Sequence, residues 1–377
     1  MIDYEVLRLI WWLLLGVLLI GFAVTDGYDL GVGAILRLIG RDDVERRMAI
    51  AAIEPNWEGH QVWFILGGGA VFAAWPLLYA ASFSGFYFAM LLVLLSLILR
   101  PVALAFRNRM PQPHWRSAWD WALTIAGAVP PLVFGVAFGN LFLGVPFHFT
   151  PSMLPVYDGS FVSLFHPFAL LAGVVSLSML VMHGACFAAM KVEDPVGSRA
   201  RGIARIAGVT AGLALIACGC WLTAIKGPII TSVLQFNGPS DPLGKQVVLS
   251  AGAWLANYGL HPWTLTAPIV ALLMLACVAL IPHRLTAFIA SGVAVAMIVL
   301  TAGFSLFPFL LPSSSDPSQG LTVWDASSSA RTLGIMLFAT AVLLPIVLAY
   351  TAWALRVMRG QVTRAYIQSH TDSGESY

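Results

Sequence analysis

The sequence predicts an all-α polytopic membrane protein with about nine transmembrane helices. Of its 377 residues, 59% are hydrophobic and only 10% are charged, and the mean hydropathy is +0.84. A soluble domain carries about 25% charged residues, so the composition alone indicates a membrane protein. Apolar runs of about 20 residues, the length that crosses the hydrocarbon core, locate the helices. These runs lie near residues 7–28, 52–74, 79–99, 118–141, 162–190, 203–225, 263–282, 286–310 and 332–356.

A weak internal repeat groups the predicted helices into two four-helix bundles and one C-terminal helix. The fourth run ends in GVAFGNLFLGVPF and the eighth in TAGFSLFPFLLPS, two stretches with a similar pattern of Gly, Phe, Leu and Pro. The predicted units are therefore a first bundle over residues 1–147 and a second over 148–311. Residues 312–377 then supply an outer loop, the ninth helix and a cytoplasmic tail.

Positively charged residues predict the orientation of the chain. The 20 Lys and Arg residues follow the first, third, fifth, seventh and ninth helices, except for Arg8, Lys226, Lys245 and Arg331. By the positive-inside rule, the N-terminus faces outwards and the C-terminus faces the cytoplasm. The net charge of +2 and the lack of a basic cluster with interleaved aromatic residues argue against nucleic-acid binding.

The start of the second helix, EPNWEGHQVW, holds the densest group of polar residues in an apolar setting. Ionisable groups within a membrane span cost about 2.5–3.5 kcal/mol each, so such groups indicate function. In a continuous helix, Glu54, Glu58 and Gln61 share one face at i, i+4 and i+7, whereas His60 points to another face. An alternative for Glu58 is a structural hydrogen bond to a neighbouring helix.

The first helix ends on the same cytoplasmic side, in TDGYDLGVG. Asp26 and Asp29 are three residues apart and face the same way in a helix. We therefore expect them to converge with Glu54 and Glu58 near one cytoplasmic entrance, where buried carboxylates can hold and pass on protons. For Asp29, a solvated charge at the helix end is an equally simple interpretation.

The remaining helices add few candidates. The third run is almost purely apolar and ends at Arg100 and Pro101, and the fourth opens with three tryptophans, which is typical of an interfacial aromatic belt. The fifth carries His183 in its cytoplasmic third, either as hydrogen-bonded packing or as a proton or metal site.

No metal-ligand spacing is present in the sequence. It contains no HExxH, no His pair at i, i+4 and no Cys/His cluster. We therefore expect this chain to hold no metal ion and no firmly bound cofactor. A proton path without a redox centre of its own points to a partner subunit that consumes the protons.

Several long stretches resemble subunit II of the cytochrome bd-type ubiquinol oxidases. They are YEVLRLIWWLLLGVLLIGFAVTDGYDLGVG, WEGHQVWFILGGGAVFAAWP, YAASFSGFY, GVAFGNLFLGVPF, FSLFPFLLPSS and LTVWDASSS, and the resemblance runs nearly from end to end of the chain. The resemblance implies a heterodimer in the bacterial inner membrane with a related subunit I. That subunit carries the quinol site and the haems, either b and d or all b, and the complex reduces dioxygen to water with electrons from quinol.

The resemblance also implies roles for individual residues. Glu58 is the proton relay, and Asp26, Asp29, Glu54, His60 and Gln61 belong to the proton path or its surroundings. A quinone held structurally in subunit II, contacts with membrane lipids and a small accessory subunit are further implications. Better-known members often carry Asp at position 58 and Asn at position 60, and these departures resemble the cyanide-insensitive branch.

Two other interpretations use the same residues. A proton-coupled secondary transporter also needs buried acids, although the sequence lacks a clearly broken helix pair at the midplane. Alternatively, His60 and His183 ligate a haem within this chain.

Overall fold

Thirteen α-helices and six short β-strands make up most of the described chain, which comprises residues 2–233, 235–358 and 360–372 of a computed structural model. The helices before the first strand are α1 (Tyr4–Ile39), α2 (Asp43–Ile53), α3 (Trp57–Ala74), α4 (Pro76–Gly85), α5 (Tyr87–Phe106) and α6 (Pro113–Leu143). The helices after it are α7 (Pro167–Lys191), α8 (Val196–Leu222), α9 (Ala256–Leu260), α10 (Thr266–Leu280), α11 (Arg284–Leu306), α12 (Ala330–Val357) and α13 (Arg364–Asp372).

Eight helical segments of the described residues are long and apolar enough to cross a membrane. They are α1, α5, α6, α7, α8, α11, α12 and the segment Pro262–Leu280, which contains α10. The bent pair α3–α4 makes a ninth if it counts as one span. The predicted all-α polytopic fold is therefore confirmed. The division of the chain at residues 147 and 311 stays a prediction, because buried side chains of both halves join in one apolar cluster.

The second predicted span differs from the structure at both ends. The sequence predicts one helix over residues 52–74, but α2 ends at Ile53, residues 54–56 form a turn, and α3 begins at Trp57. Pro55 lies in this turn and has no amide hydrogen to continue the helical ladder. At the other end, α3 and α4 meet at an angle of 120°, with Pro76 as the first residue of α4.

Glycines let α1 lie directly against its neighbours. A Cβ atom on Gly31 would be 2.1 Å from the carbonyl oxygen of Leu180 in α7, and one on Gly184 would be 2.5 Å from the carbonyl carbon of Gly31. On α6, a Cβ on Gly127 would be 2.4 Å from the carbonyl oxygen of Leu30. Small residues at such crossings allow membrane helices to pack closely. Helix α1 thus sits inside the bundle and carries its polar residues into the interior.

Three antiparallel hairpins cover the side of the bundle where α1 begins. They are β1–β2 (Phe147–Phe149 and Pro155–Tyr157), β3–β4 (Lys226–Ile230 and Val247–Ala251) and β5–β6 (Phe309–Leu311 and Leu321–Thr322). Buried polar contacts tie these loops to one another and to α1. Arg8 donates from Nε to the Ser327 hydroxyl at 2.8 Å, and Lys245 pairs with Asp325 at 2.9 Å.

Candidate functional site

A buried polar cluster lies where α1, α3 and α5 meet. Asp26 and Asp29 on α1 are 0% and 1% exposed, His60 on α3 is 3% exposed, and Arg100 on α5 is 2% exposed. Asp26 and Asp29 are one helical turn apart and share a face of α1. Asp29 is therefore a buried group, and the alternative of a solvated charge at a helix end is wrong.

Arg100 and Asp26 form a bidentate ion pair inside the cluster. Nη1 of Arg100 donates to Oδ1 of Asp26 at 2.6 Å, and Nη2 donates to Oδ2 at 3.1 Å. The guanidinium carbon also lies 5.4 Å from the ring centroid of Trp57. Two parallel hydrogen bonds fix the carboxylate in orientation and neutralise its charge.

His60 connects the second carboxylate to a tyrosine. Its Nδ1 lies 2.7 Å from Oδ2 of Asp29, and its Nε2 lies 3.3 Å from the hydroxyl oxygen of Tyr28. The Tyr28 ring stacks on Phe187 of α7 with the centroids 4.1 Å apart. Oδ1 of Asp29 is buried and has no hydrogen-bond partner among the described residues. The three side chains thus form a short hydrogen-bonded chain in an aromatic environment.

The predicted polar face of Glu54, Glu58 and Gln61 is interrupted in the structure. Glu54 lies in the turn before α3, so it does not share a helix with the other two, and the prediction of one continuous face was wrong. Glu58 is exposed on the surface of the chain, Gln61 is half-buried, and His60 points inward. The predicted divergence of Glu58 and His60 agrees with this arrangement, whereas Glu58 does not join the buried cluster of Asp26 and Asp29.

His183 lies close to the cluster but has its own partners. Its Nε2 donates to the carbonyl oxygen of Val24 at 2.9 Å, its Nδ1 lies 2.8 Å from the Ser291 hydroxyl, and its ring stacks on Phe288. Both ring nitrogens of His60 are engaged as well. As arranged here, these two histidines do not fit axial ligation of a haem iron, because neither turns a ring nitrogen towards open space.

The sequence did not reveal Arg100 as the partner of Asp26. It placed Arg100 at the end of the third span as one of the cytoplasmic charges, but α5 continues past Pro101 to Phe106 and carries Arg100 inside. Tyr28 was also missed. The depth of an arginine in an apolar run is a usable signal, since an intramembrane cation needs a partner.

An apolar cavity of about 570 Å³ lies further along the bundle axis. Its walls come from α1, α3, α6, α7, α8, α10 and α11, with Phe22, Phe64, Phe134 and Phe138 among the lining side chains. Its few polar groups include Tyr258, whose hydroxyl lies 2.9 Å from that of Ser305. Its volume and apolar lining are typical of a site for a small hydrophobic molecule.

Comparison with known proteins identifies the family. A family model described as cytochrome bd terminal oxidase subunit II matches residues 7–358. The chain is 48% identical to cytochrome bd-I ubiquinol oxidase subunit 2 of Escherichia coli, covering 99% of this chain and 100% of the relative. It is 30% identical to cytochrome bd ubiquinol oxidase subunit 2 of Bacillus subtilis, covering 94% and 96%.

A solved structure shares the fold. The bd oxidase from Geobacillus thermodenitrificans contains a chain that matches with a TM-score of 0.63 at 15% identity, covering 94% of this chain and 99% of that one. At 15% identity, the match shows only that the two chains share a fold. The family model and the full-length relatives confirm the resemblance seen in the sequence motifs, and the chain belongs to the cytochrome bd terminal oxidase subunit II family.

Proposed function

We propose that this chain is the non-haem subunit of a bd-type quinol oxidase and that it conducts protons from the cytoplasm towards the haem-bearing subunit I. In this complex, electrons from quinol reduce dioxygen to water. The observation that carries the proposal is the buried cluster of Asp26, Asp29, His60 and Arg100, which lies in a chain of an oxidase subunit family. Ionisable groups buried in membrane helices mark proton relays and ion paths.

The exposed faces of the chain suit a partner subunit. Only Leu333 of α12 is buried, and α3 exposes Val62, Ile65 and Leu66 next to Glu58. Cβ atoms built on Gly67, Gly68 and Gly69 of α3 meet no atom within 4 Å, which leaves room for close approach of another helix. Glu58 thus sits on a face where subunit I can receive a proton from it.

The role of Glu58 is tested by Glu58→Gln, which keeps the shape of the side chain and removes the titratable proton. We expect slower quinol-dependent oxygen uptake with unchanged haem content in the purified complex. Glu193→Gln is a matched control, because Glu193 lies in the connection between α7 and α8 and is not part of the buried cluster. Equal turnover of Glu58→Gln and the wild type would refute the relay role.

We assign the haems, b and d or all b, to subunit I, since the two candidate histidines of this chain are already bound to protein groups. The apolar cavity is the proposed site of a structural quinone. Purification of the complex in mild detergent tests both assignments. A reduced-minus-oxidised spectrum identifies the haems of the complex, and the absence of a haem spectrum from subunit II expressed alone would assign them to subunit I. Organic extraction followed by mass spectrometry shows whether quinone or lipid accompanies the chain, and gel electrophoresis of the complex shows any small accessory subunit.

The proposed location is the bacterial inner membrane, with the N-terminus periplasmic and the C-terminus cytoplasmic. Arg41, Arg46 and Arg47, which follow α1, and Arg364 in α13 support this orientation by the positive-inside rule. A C-terminal fluorescent fusion is expected to fluoresce, because it stays in the cytoplasm. The alternative of a proton-coupled transporter is not supported, because the oxidase family model matches the chain from residue 7 to residue 358.

A further inference from the structure

The charges of the buried cluster do not balance without a proton. Asp26 and Asp29 bring two carboxylates, and Arg100 brings one permanent positive charge, which both of its hydrogen bonds direct to Asp26. The ionisable groups that act on Asp29 are His60, which is charged only when protonated, and the Asp26–Arg100 pair. An uncompensated charge in the interior is strongly unfavourable because it has lost its hydration. The remaining negative charge therefore requires one proton, held either by Asp29 or by His60.

The geometry places that proton between two atoms. Nδ1 of His60 and Oδ2 of Asp29 are 2.7 Å apart, which is a short distance for a hydrogen bond between such groups. The other titratable neighbours have separate partners. Arg100 is bound to Asp26, and His183 is bound to Val24 and Ser291. The Asp29–His60 pair is thus the place in this cluster that holds the balancing proton, and the only charge that changes when this proton leaves is that of the pair.

We propose that Asp29 and His60 share a single exchangeable proton and act together as the proton-holding pair of this chain. The inference rests on the proposed function, because it names the groups that load the proton in that path. It differs from the role given to Glu58, which lies on the exposed face of α3.

The Asp29–His60 pair has three protonation states, and no electron is transferred between them. In the loaded states, the proton lies either on Oδ2 of Asp29 or on Nδ1 of His60, and Nε2–H donates to the Tyr28 oxygen in both. In the unloaded state, Asp29 is ionised, neutral His60 keeps its proton on Nδ1, and Nε2 accepts from the Tyr28 hydroxyl. Release of the proton therefore reverses the direction of the hydrogen bond between Tyr28 and His60, which measures 3.3 Å.

The test compares the wild-type complex with His60→Gln and Asp29→Asn by infrared difference spectroscopy across a pH series. We expect a carboxyl signal that titrates in the wild type, is absent from Asp29→Asn, and has a shifted pH dependence in His60→Gln. The pH profile of oxygen uptake should flatten in His60→Gln. If His60→Gln keeps the wild-type titration and the wild-type pH profile, the shared proton is refuted.

Two further variants separate this inference from structural damage and from the proposed function. Tyr28→Phe keeps the stacked ring and removes only the hydroxyl, and it should move the midpoint of the pH profile by about one pH unit. An unmoved midpoint in Tyr28→Phe would overturn the proposal even if His60→Gln fails to assemble. If oxygen uptake is slow in Glu58→Gln while the infrared titration stays normal, both the Glu58 relay and the Asp29–His60 pair are supported. If oxygen uptake is slow in His60→Gln but normal in Glu58→Gln, only the relay role of Glu58 is refuted.

Discussion

Removing Arg100 is the sharpest test of how the buried cluster is held together. The Arg100→Met variant keeps an unbranched side chain of similar length but leaves Asp26 buried without its cation. The structure shows two charge-assisted hydrogen bonds, at 2.6 and 3.1 Å, between side chains that are almost fully buried. Bonds to charged groups contribute about 1.5–3 kcal/mol each, so about 3–6 kcal/mol depends on this pair. Measured losses of one buried partner fall in the same range, about 3–5 kcal/mol.

The double variant Arg100→Met/Asp26→Leu distinguishes a broken ion pair from lost packing. Replacing both members of a buried pair by apolar side chains is often neutral or stabilising, because the cost of burying the charges disappears with them. We therefore expect the single variant to be much less stable than the wild type and the double variant to recover most of the loss. Arg109→Met is the control, since the Arg109 side chain is exposed and lies outside the buried cluster.

The assay is the thermal midpoint of the detergent-solubilised complex, followed through haem absorbance and repeated at several protein concentrations. We expect equal thermal midpoints for the wild type and Arg109→Met, a slightly lower midpoint for the double variant, and a much lower midpoint for Arg100→Met. A single variant as stable as the wild type would show that Asp26 needs no cation. A double variant as unstable as the single one would show that the arginine acts through its volume and not through its charge.

Two more predictions address packing and pH. Gly31→Ala should destabilise the complex by about 1–3 kcal/mol, because its Cβ would meet the α7 backbone. Gly202→Ala on α8 should be nearly neutral in the same complex, since its Cβ meets no atom within 4 Å. Equal thermal midpoints for the two variants would contradict the close α1–α7 contact. In the loop after α7, the Ser198 hydroxyl and the Arg284 guanidinium hold the pKa of Asp194 below its usual range. The contribution of Asp194 to stability is therefore present at neutral pH and is lost as the pH falls below about 4, so Asp194→Asn should weaken this part of the acid dependence of the thermal midpoint.

The apolar runs predicted most of the fold because hydropathy and length alone decide which segments span a membrane. The fourth span was predicted at residues 118–141 and is Pro113–Leu143, and the ninth was predicted at 332–356 and is Ala330–Val357. The bend at Pro76 was not predicted, because Pro can begin a new helix or kink an existing one, and only packing decides between the two.

The candidate site was predicted in part, and the missing part depended on long-range contacts. The spacing of Asp26 and Asp29 indicated a shared helical face, which follows from local geometry. Their partners are 74 and 31 residues away along the chain, at Arg100 and His60, and helix rotation in the bundle selects them. The prediction of a polar face through Glu54 was wrong for a local reason. The turn at residues 54–56 interrupts the helix that the regular spacing of Glu54, Glu58 and Gln61 had indicated.

That break explains why an exposed acid and a buried histidine occur so close together. Helix α3 begins directly after it, so Glu58 and His60 both lie in the first turn of α3. Two residues correspond to about 200° of rotation, which turns one side chain outward and the other towards α1. A continuous helix from α2 would fix the rotation of this turn by the packing of α2, whereas the turn at Pro55 lets α3 rotate independently. The position of His60 against Asp29 therefore depends on the packing of α3 against α1 and not on α2, and the first turn of α3 links the exposed face of the chain to its buried cluster.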